Sequence, residues 1–311
     1  MLHLLLASAM TLGPVSTPVT LPSEPAALHG TLLTPDELTR AVAVILPGSG
    51  PTDRDGNSLN NGSPLQVRAA TYRLLAEGLA AEGVATLRID KRGVGESMSA
   101  AFQESDIRFE RFIADARAWA AQAARQTGQP CAWLVGHSEG ALVALGATRE
   151  PDHKICGLVL LAGAGRPAGD VLSEQLDRLP EPLRAQALAG VQDLAQGRTT
   201  PVIPGLESIF RESVQPYLIS WFALDPAALA HAYEGPLMVA RGTTDLQAAA
   251  SDLDALSLAR PDATRVVFEG VNHVLKAAPA DQTGNLATYS DPDLPLGAGV
   301  VDAVAEFILQ R

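Results

Sequence analysis

A mostly parallel α/β sheet flanked by helices is the fold class that this sequence predicts, and three features predict it. Short β-like runs alternate with helical stretches along most of the chain. One of the runs, Ala41–Leu46 (AVAVIL), is apolar without interruption, as strands buried on both faces of a parallel sheet are. The third feature is a serine between two glycines, Gly136-His137-Ser138-Glu139-Gly140, which follows one apolar run and opens another.

The elements follow in order. After Pro14, the pieces Val15–Leu21 and Ala27–Leu33, both flanked by prolines, read as an antiparallel start. Ala41–Leu46 then ends in Pro47-Gly48-Ser49-Gly50. Val67–Glu82 has helical periodicity, with Leu74, Leu75 and Leu79 on one stripe. Strands at Val84–Ile89, Ala132–Val135 and Gly157–Leu161 alternate with helices at Ile107–Gln126 and Glu139–Arg149. Pro236–Ala240 and Thr264–Phe268 read as strands with a helix at Leu253–Leu258 between them, and Val300–Leu309 as a closing helix. Between Gly165 and Gly235 no strong strand signal occurs. Helical pieces at Ser173–Leu179, Pro182–Gln196, Leu206–Val214 and Tyr217–Ala223 are punctuated by Pro180, Pro201, Pro204, Pro216 and Pro226. The expectation is a core of residues 15–164 and 236–311, with a helical cap of residues 165–235 inserted after the strand at 157–161.

Composition narrows the function classes. A chain of 311 residues, 47% hydrophobic and 19% charged, has ample length for a buried core. Its net charge of −12 argues against nucleic acid and against docking on an anionic membrane surface. No run reaches the ~18 apolar residues of a membrane span. No His, Cys, Asp or Glu cluster has metal-ligand spacing, and no metal or cofactor is expected. Cys131 and Cys156 each open a predicted strand, and those strands are expected to be neighbours. A bridge is conceivable, but two buried free thiols are the expectation. Residues 1–14 are ambiguous. Met1–Gly13 is apolar and Ala7-Ser8-Ala9 resembles a signal cleavage site, yet the first Lys or Arg is Arg40. Cytoplasmic and exported locations both stay open.

The chemistry centres on Ser138. A strand enters the Gly-x-Ser-x-Gly turn and a helix leaves it, the setting of a nucleophile elbow. Small residues at 136 and 140 are needed so that the turn can pack against its neighbours. The serine then stands at a helix N-terminus, where backbone N–H groups face developing negative charge. A serine hydroxyl needs a base. His273, in GVNHVLK after a predicted strand, is the candidate, with His231 as competitor, while His137 should point away from the attack side. Asp245, in ARGTTDLQ after another strand, is the acid to orient His273, and gives the chain order Ser, Asp, His. Asp252 and Asp254 are alternatives expected to face solvent. For an oxyanion hole, Glu139 offers one backbone N–H, and Ser49, or Gly50 as the alternative, offers the other. Asp53-Arg54-Asp55 is read as a local ion-pair network that sets this loop. Asp90, Arg92, Gly93, Gly95 and Ser97 are read as a structural loop beside the serine. The glycines there lack the rest of a dinucleotide fingerprint. A carboxylate next to the nucleophile needs an answering charge, for which Arg54 or Arg92 are the candidates.

PGSGPTDRDGN (47–57), RIDKRGVGES (88–97), GHSEG (136–140), RGTTDLQ (241–247) and VNHVLK (271–276) together resemble the α/β-hydrolase fold, in its bacterial esterase and serine-aminopeptidase-like (S33) group. The resemblance covers about Leu28 to the end, including LATYSDPDLPLGAGVVDAVAEFI. It implies a covalent acyl-serine mechanism without a cofactor and does not fix the substrate. The expected activity is a carboxylesterase that cleaves a small-molecule ester with a small to medium acyl chain. Ser138, His273 and Asp245 would carry it, Ser49 and Glu139 would hold the oxyanion, and Ile209, Phe210, Trp221 and Phe222 are candidate pocket lining. A thioesterase, or an aminopeptidase with Glu207 or Glu212 catching the substrate amine, is the alternative on the same residues. A non-catalytic binding protein is a third reading.

Overall fold

Strand β1 (Val15–Leu21) pairs antiparallel with β2 (Leu28–Thr34), and β2 pairs antiparallel with β6 (Val84–Ile89). From there the sheet is parallel through β3 (Ala41–Leu46), β7 (Ala132–His137), β8 (Ile155–Leu161), β9 (Leu237–Gly242) and β10 (Thr264–Phe268). The order is β1-β2-β6-β3-β7-β8-β9-β10. A two-stranded pair, β4 (Asn57–Ser58) and β5 (Val67–Arg68), lies apart from it. The structure, a computed structural model, describes residues 13–58, 66–151 and 153–310. Residues 1–12, most of the ambiguous N-terminal segment, lie outside them.

The apolar run of β3 has a plain physical reason. Alternate side chains leave a strand on opposite faces, and both faces of this one are covered. Val42, Val44 and Leu46 pack with Phe109 and Trp119 of helix α2 (Phe109–Thr127). Ala43 and Ile45 pack with Leu75 and Leu79 of α1 (Thr71–Ala81) and with Val304 and Ile308 of the closing helix α11 (Val300–Leu309). Helix α3 (Glu139–Ala147) is buried at all nine positions. It is therefore apolar all round rather than striped. Five helices stand between β8 and β9: α4 (Ala168–Leu176), α5 (Leu183–Ala195), α6 (Glu207–Phe210), α7 (Gln215–Phe222) and α8 (Pro226–Ala232). The first four share an apolar core of their own around Val191, Leu194, Phe210 and Phe222, whereas α8 packs through Leu229 and Ala230 on the core of the sheet. After β9 come α9 (Ala250–Ala259) and, past β10, α10 (Gln282–Ala287).

Three expectations are corrected. The helix expected from Val67 starts at Thr71, because Asn57 Oδ1 accepts the Ala70 N–H and Ala70 adopts φ 50°. Helix α8 was missed, although Asp225 caps it by accepting the Ala228 N–H and Pro226 opens it. Cys131 and Cys156 are not free thiols. They form a disulfide with Cα atoms 5.3 Å apart. The two residues lie where neighbouring strands β7 and β8 begin, so the backbone itself sets that separation.

The bridge closes a 25-residue separation, for which chain entropy gives about 3.5 kcal/mol. Replacing both cysteines by serine is expected to lower the unfolding free energy by roughly that amount, read from the urea midpoint. Unreduced protein unfolded in denaturant should yield no thiol to Ellman's reagent, and two thiols per chain would refute the bridge.

Candidate active site

Ser138 sits between β7 and α3 with φ 54° and ψ −120°, a conformation that L residues rarely adopt. The glycines beside it are there because nothing larger fits. A Cβ on Gly136 would stand 2.2 Å from Gly140 O, and one on Gly140 would stand 2.2 Å from Leu46 O of β3. The turn therefore lies against the end of β3, and its serine faces the loop that follows β3. A Cβ on Gly48 of that loop would come within 3.3 Å of Ser138 Cβ.

His273 lies in the loop after β10, and Asp245 in the loop after β9. Nδ1 of His273 is 3.1 and 3.0 Å from the two Asp245 carboxylate oxygens. Asp245 Oδ1 also accepts the N–H groups of Gln247 at 2.7 Å and Ala248 at 2.9 Å. Burial pushes the Asp245 carboxyl up, but His273 and these two donors outweigh it and hold the group below the ordinary carboxylate range. The carboxylate assigns the proton of a neutral His273 to Nδ1 and leaves Nε2 as an acceptor.

His137 has a different task. Its Nε2 lies 2.7 Å from the carbonyl of His273, which can only accept, so Nε2 carries the proton. Nδ1 then accepts from the Tyr72 hydroxyl at 2.9 Å, and the Tyr72 oxygen accepts the Gly48 N–H at 2.9 Å. Burial, with the nearby His273, pushes His137 down to about 3. The chain of bonds needs the neutral ring, so the electrostatics and the donor pattern agree.

Glu139 finds its answering charge in Lys91, whose Nζ stands 3.3 Å from Oε1. Its other oxygen accepts the Tyr217 hydroxyl from α7. Arg54 and Arg92, the expected partners, are engaged elsewhere. Arg54 binds Asp90 and Glu96, and Arg92 binds Asp115. In the network around Asp53-Arg54-Asp55, Arg54 thus bonds Asp90 while Arg88 bonds Asp55.

Two hollows meet at Ser138 and His273. One, of about 250 Å³, runs beneath the helical block and is walled by Leu142, Val171, Leu172, Leu218, Trp221 and Phe222. The other, of about 240 Å³, is bordered by Thr52, Thr71, Tyr72, Gln247 and Tyr289. Ser49 borders both.

The profile of the serine aminopeptidase (S33) family matches residues 66–278, more than half of the chain. The chain belongs to that family. Among curated proteins none matches. Solved structures similar to this family member include Est1E from Butyrivibrio proteoclasticus bound to ferulic acid, with 15% identity, 94% of this chain and 96% of that chain covered, and a TM-score of 0.60. The esterase domain of a Rhodothermus marinus protein has 17% identity, 95% and 99% coverage and a TM-score of 0.57. The thioesterase domain of the curacin biosynthetic pathway has 16% identity, 95% and 99% coverage and a TM-score of 0.56. Likeness at this identity shows the α/β-hydrolase fold, and the family match makes this S33-family chain a hydrolase.

In this S33-family hydrolase Ser138, His273, Asp245, Ser49 and Glu139 come together. Gly50 lines a different hollow, with Arg92, Phe102 and Tyr217. Trp221 and Phe222 wall the hollow at Ser138, but Phe210 does not. It is fully buried inside the helical block, where a Cβ on Gly190 would meet its ring at 2.8 Å. Ile209 belongs to that block's core too. His231 is exposed on α8 and turns its ring toward Ala259 O. Asp254 is exposed and pairs with Arg265. Asp252 is buried rather than solvent-facing. It accepts from Gly165, Arg166 and Ala249, which joins α9 to the loop after β8. Tyr72, Lys91 and Tyr217 were missed as site residues. Lys91 alone carried a signal, since it stands two residues past the end of β6, the strand beside the one that leads into the loop of residues 48–50.

His137 generates a prediction. Its folded-state value lies near 3 against an ordinary 6.5, so the unfolded chain binds a proton that the folded chain refuses. This stability is fully present above about pH 6.5 and is lost as pH falls toward 3, at up to about 1.4 kcal/mol per pH unit. His137→Gln, which can still donate and accept, is expected to flatten that slope in urea unfolding at a series of pH values. Parallel slopes for the two proteins would contradict the assignment.

Proposed function

We propose that this hydrolase is a serine carboxylesterase acting on esters of small to medium acyl chains. The observation that carries the reading is the meeting of Ser138, in its strained turn, with His273, itself bonded to Asp245, at the wall of one largely apolar hollow. Ser138 Oγ attacks the acyl carbon while His273 Nε2 takes the hydroxyl proton. The N–H groups of Glu139 and Ser49 hold the oxyanion. When the carbon–oxygen bond breaks, His273 returns the proton to the leaving alcohol. Water, giving its proton to His273, then attacks the acyl-serine; the bond between the acyl carbon and Ser138 Oγ breaks as His273 returns the proton to Oγ, and the acid is released. Asp245 keeps the imidazole in its tautomer and offsets the imidazolium charge. In this reading residues 165–235 are a cap whose α4 and α7 wall the acyl hollow, with Trp221 and Phe222 as lining.

Esters are favoured over aminoacyl substrates by the fate of the carboxylates. An aminopeptidase needs a free acid to hold the substrate amine. Glu207 and Glu212 line neither hollow. Among the described residues Glu139 and Asp252 do border the acyl hollow, but each is committed, to Lys91 and Arg166 respectively.

A fluorophosphonate probe is expected to label wild type and not Ser138→Ala, and Ser138→Ala should lower kcat on p-nitrophenyl esters by on the order of 10⁴- to 10⁶-fold. Equal labelling of the two would sink the nucleophile assignment, and faster turnover of aminoacyl anilides than of esters would sink the substrate class. Leu172→Trp narrows the proposed acyl hollow. It should lower kcat/KM for octanoate esters by about tenfold or more relative to acetate esters, whereas an unchanged ratio would move the acyl site elsewhere.

A further inference from the structure

We infer that Lys91 is the positioning residue of the oxyanion hole: by holding the Gly48 carbonyl it aims the Ser49 N–H at the reacting centre, and the Glu139 side chain exists to hold Lys91. The inference rests on the serine-hydrolase reading above. Lys91 Nζ donates to Gly48 O at 2.5 Å and to Glu139 Oε1 at 3.3 Å. Its flank is closed by the Phe112 ring, 5.5 Å from Nζ to the centroid.

Peptide geometry and topology give the direction. Among the described residues cis bonds occur only before Pro25 and Pro182, so the Gly48–Ser49 peptide is trans. In a trans peptide the carbonyl and the N–H point opposite ways. Strand β3 lies between β6 and β7, Lys91 follows β6, and Ser138 follows β7. A Gly48 carbonyl drawn to Lys91 Nζ turns the Ser49 N–H away from Lys91. The hollows agree, since Ser49 borders both that contain Ser138 while Lys91 borders others. The preceding peptide is fixed as well, because the Gly48 N–H is held by Tyr72. Among the described residues Lys91 is the donor that holds the carbonyl of the 48–49 peptide. A flip would place that carbonyl, an acceptor, where the oxyanion forms.

The ion pair is poorly explained as a stabilising device. The Lys91 and Glu139 side chains are only 8% and 1% exposed, and buried pairs recover little more than their desolvation. A geometric task accounts for the arrangement. Tyr217, on α7 of the helical block, holds the second Glu139 oxygen and extends the chain from the cap to the oxyanion loop.

The test compares wild type with Lys91→Met, with the double variant Lys91→Met/Glu139→Gln, which leaves no buried unpaired charge, and with Tyr217→Phe. On p-nitrophenyl butyrate, Lys91→Met and the double variant should lower kcat by about 10²- to 10³-fold with KM little moved, the pattern of a lost oxyanion donor. Inhibition by an alkyl trifluoromethyl ketone, whose Ser138 adduct places an oxyanion in the hole, should weaken by the same factor. A general loss of fold would instead lower the active fraction without shifting the inhibition constant. If Lys91→Met does not fold, the double variant carries the test. If neither folds, Tyr217→Phe carries it, with kcat and ketone affinity expected to fall together several-fold. A folded Lys91 variant within threefold of wild type in kcat and ketone affinity overturns the inference, as does an unaltered Tyr217→Phe where it carries the test. Wild type that is not labelled by fluorophosphonate, or that loses no turnover in Ser138→Ala, overturns the serine-hydrolase reading itself, so the two failures are distinct.

Discussion

The site depends on one close approach, that of the β7–α3 turn to the end of β3. Gly140 lies where a Cβ would strike Leu46 O, and Gly136 where one would strike Gly140 O. That contact presses Ser138 into its strained backbone conformation and sets it beside the loop after β3. It also explains the complete burial of α3, since a helix leaving such a turn runs directly under the sheet. Strain of this kind persists only where surrounding packing over-determines it. Here the two-faced core of β3 and β7 does so.

Around that contact, two bonded chains converge on Gly48. One runs from the His273 carbonyl through His137 and Tyr72 to the Gly48 N–H. The other runs from Tyr217 through Glu139 and Lys91 to the Gly48 carbonyl. The loops after β3, β6, β7 and β10 are thus tied together through one residue. Under the serine-hydrolase reading, the base loop and the oxyanion loop are held in register by neutral hydrogen bonds on one side and by an ion pair on the other. The neutral side suits its place. A charged His137 would leave Nδ1 unable to accept from Tyr72, and would place a positive charge beside the His273 ring, whose centroid is 4.9 Å away.

The sheet was legible in the sequence because burial on both faces writes itself as continuous apolar runs, and β3 and β10 match their expected limits. Elements set by side-chain capping or short pairing were less legible. The Val67–Glu82 stretch hid a strand and a left-handed residue ahead of α1, and α8 was lost among prolines although Asp225-Pro226 is a helix start. Ser138, Asp245 and His273 could be singled out because each follows a strand, and in this topology strand ends gather at one edge. Phe210 was misjudged because an aromatic residue in a helical insertion reads the same whether it faces a hollow or its own block.

By itself the sequence determined the alternation of strands and helices, the glycine-flanked serine, and the chain order of serine, acid and histidine, since these are local patterns. Only the tertiary structure decided which charges meet. Lys91 rather than Arg54 or Arg92 answers Glu139, Arg166 takes Asp252 out of solvent, and Cys131 reaches Cys156. These pairings join residues brought together by neighbouring strands and by the packing of the helical block, and charge partners chosen by proximity in space leave no periodic trace in the chain.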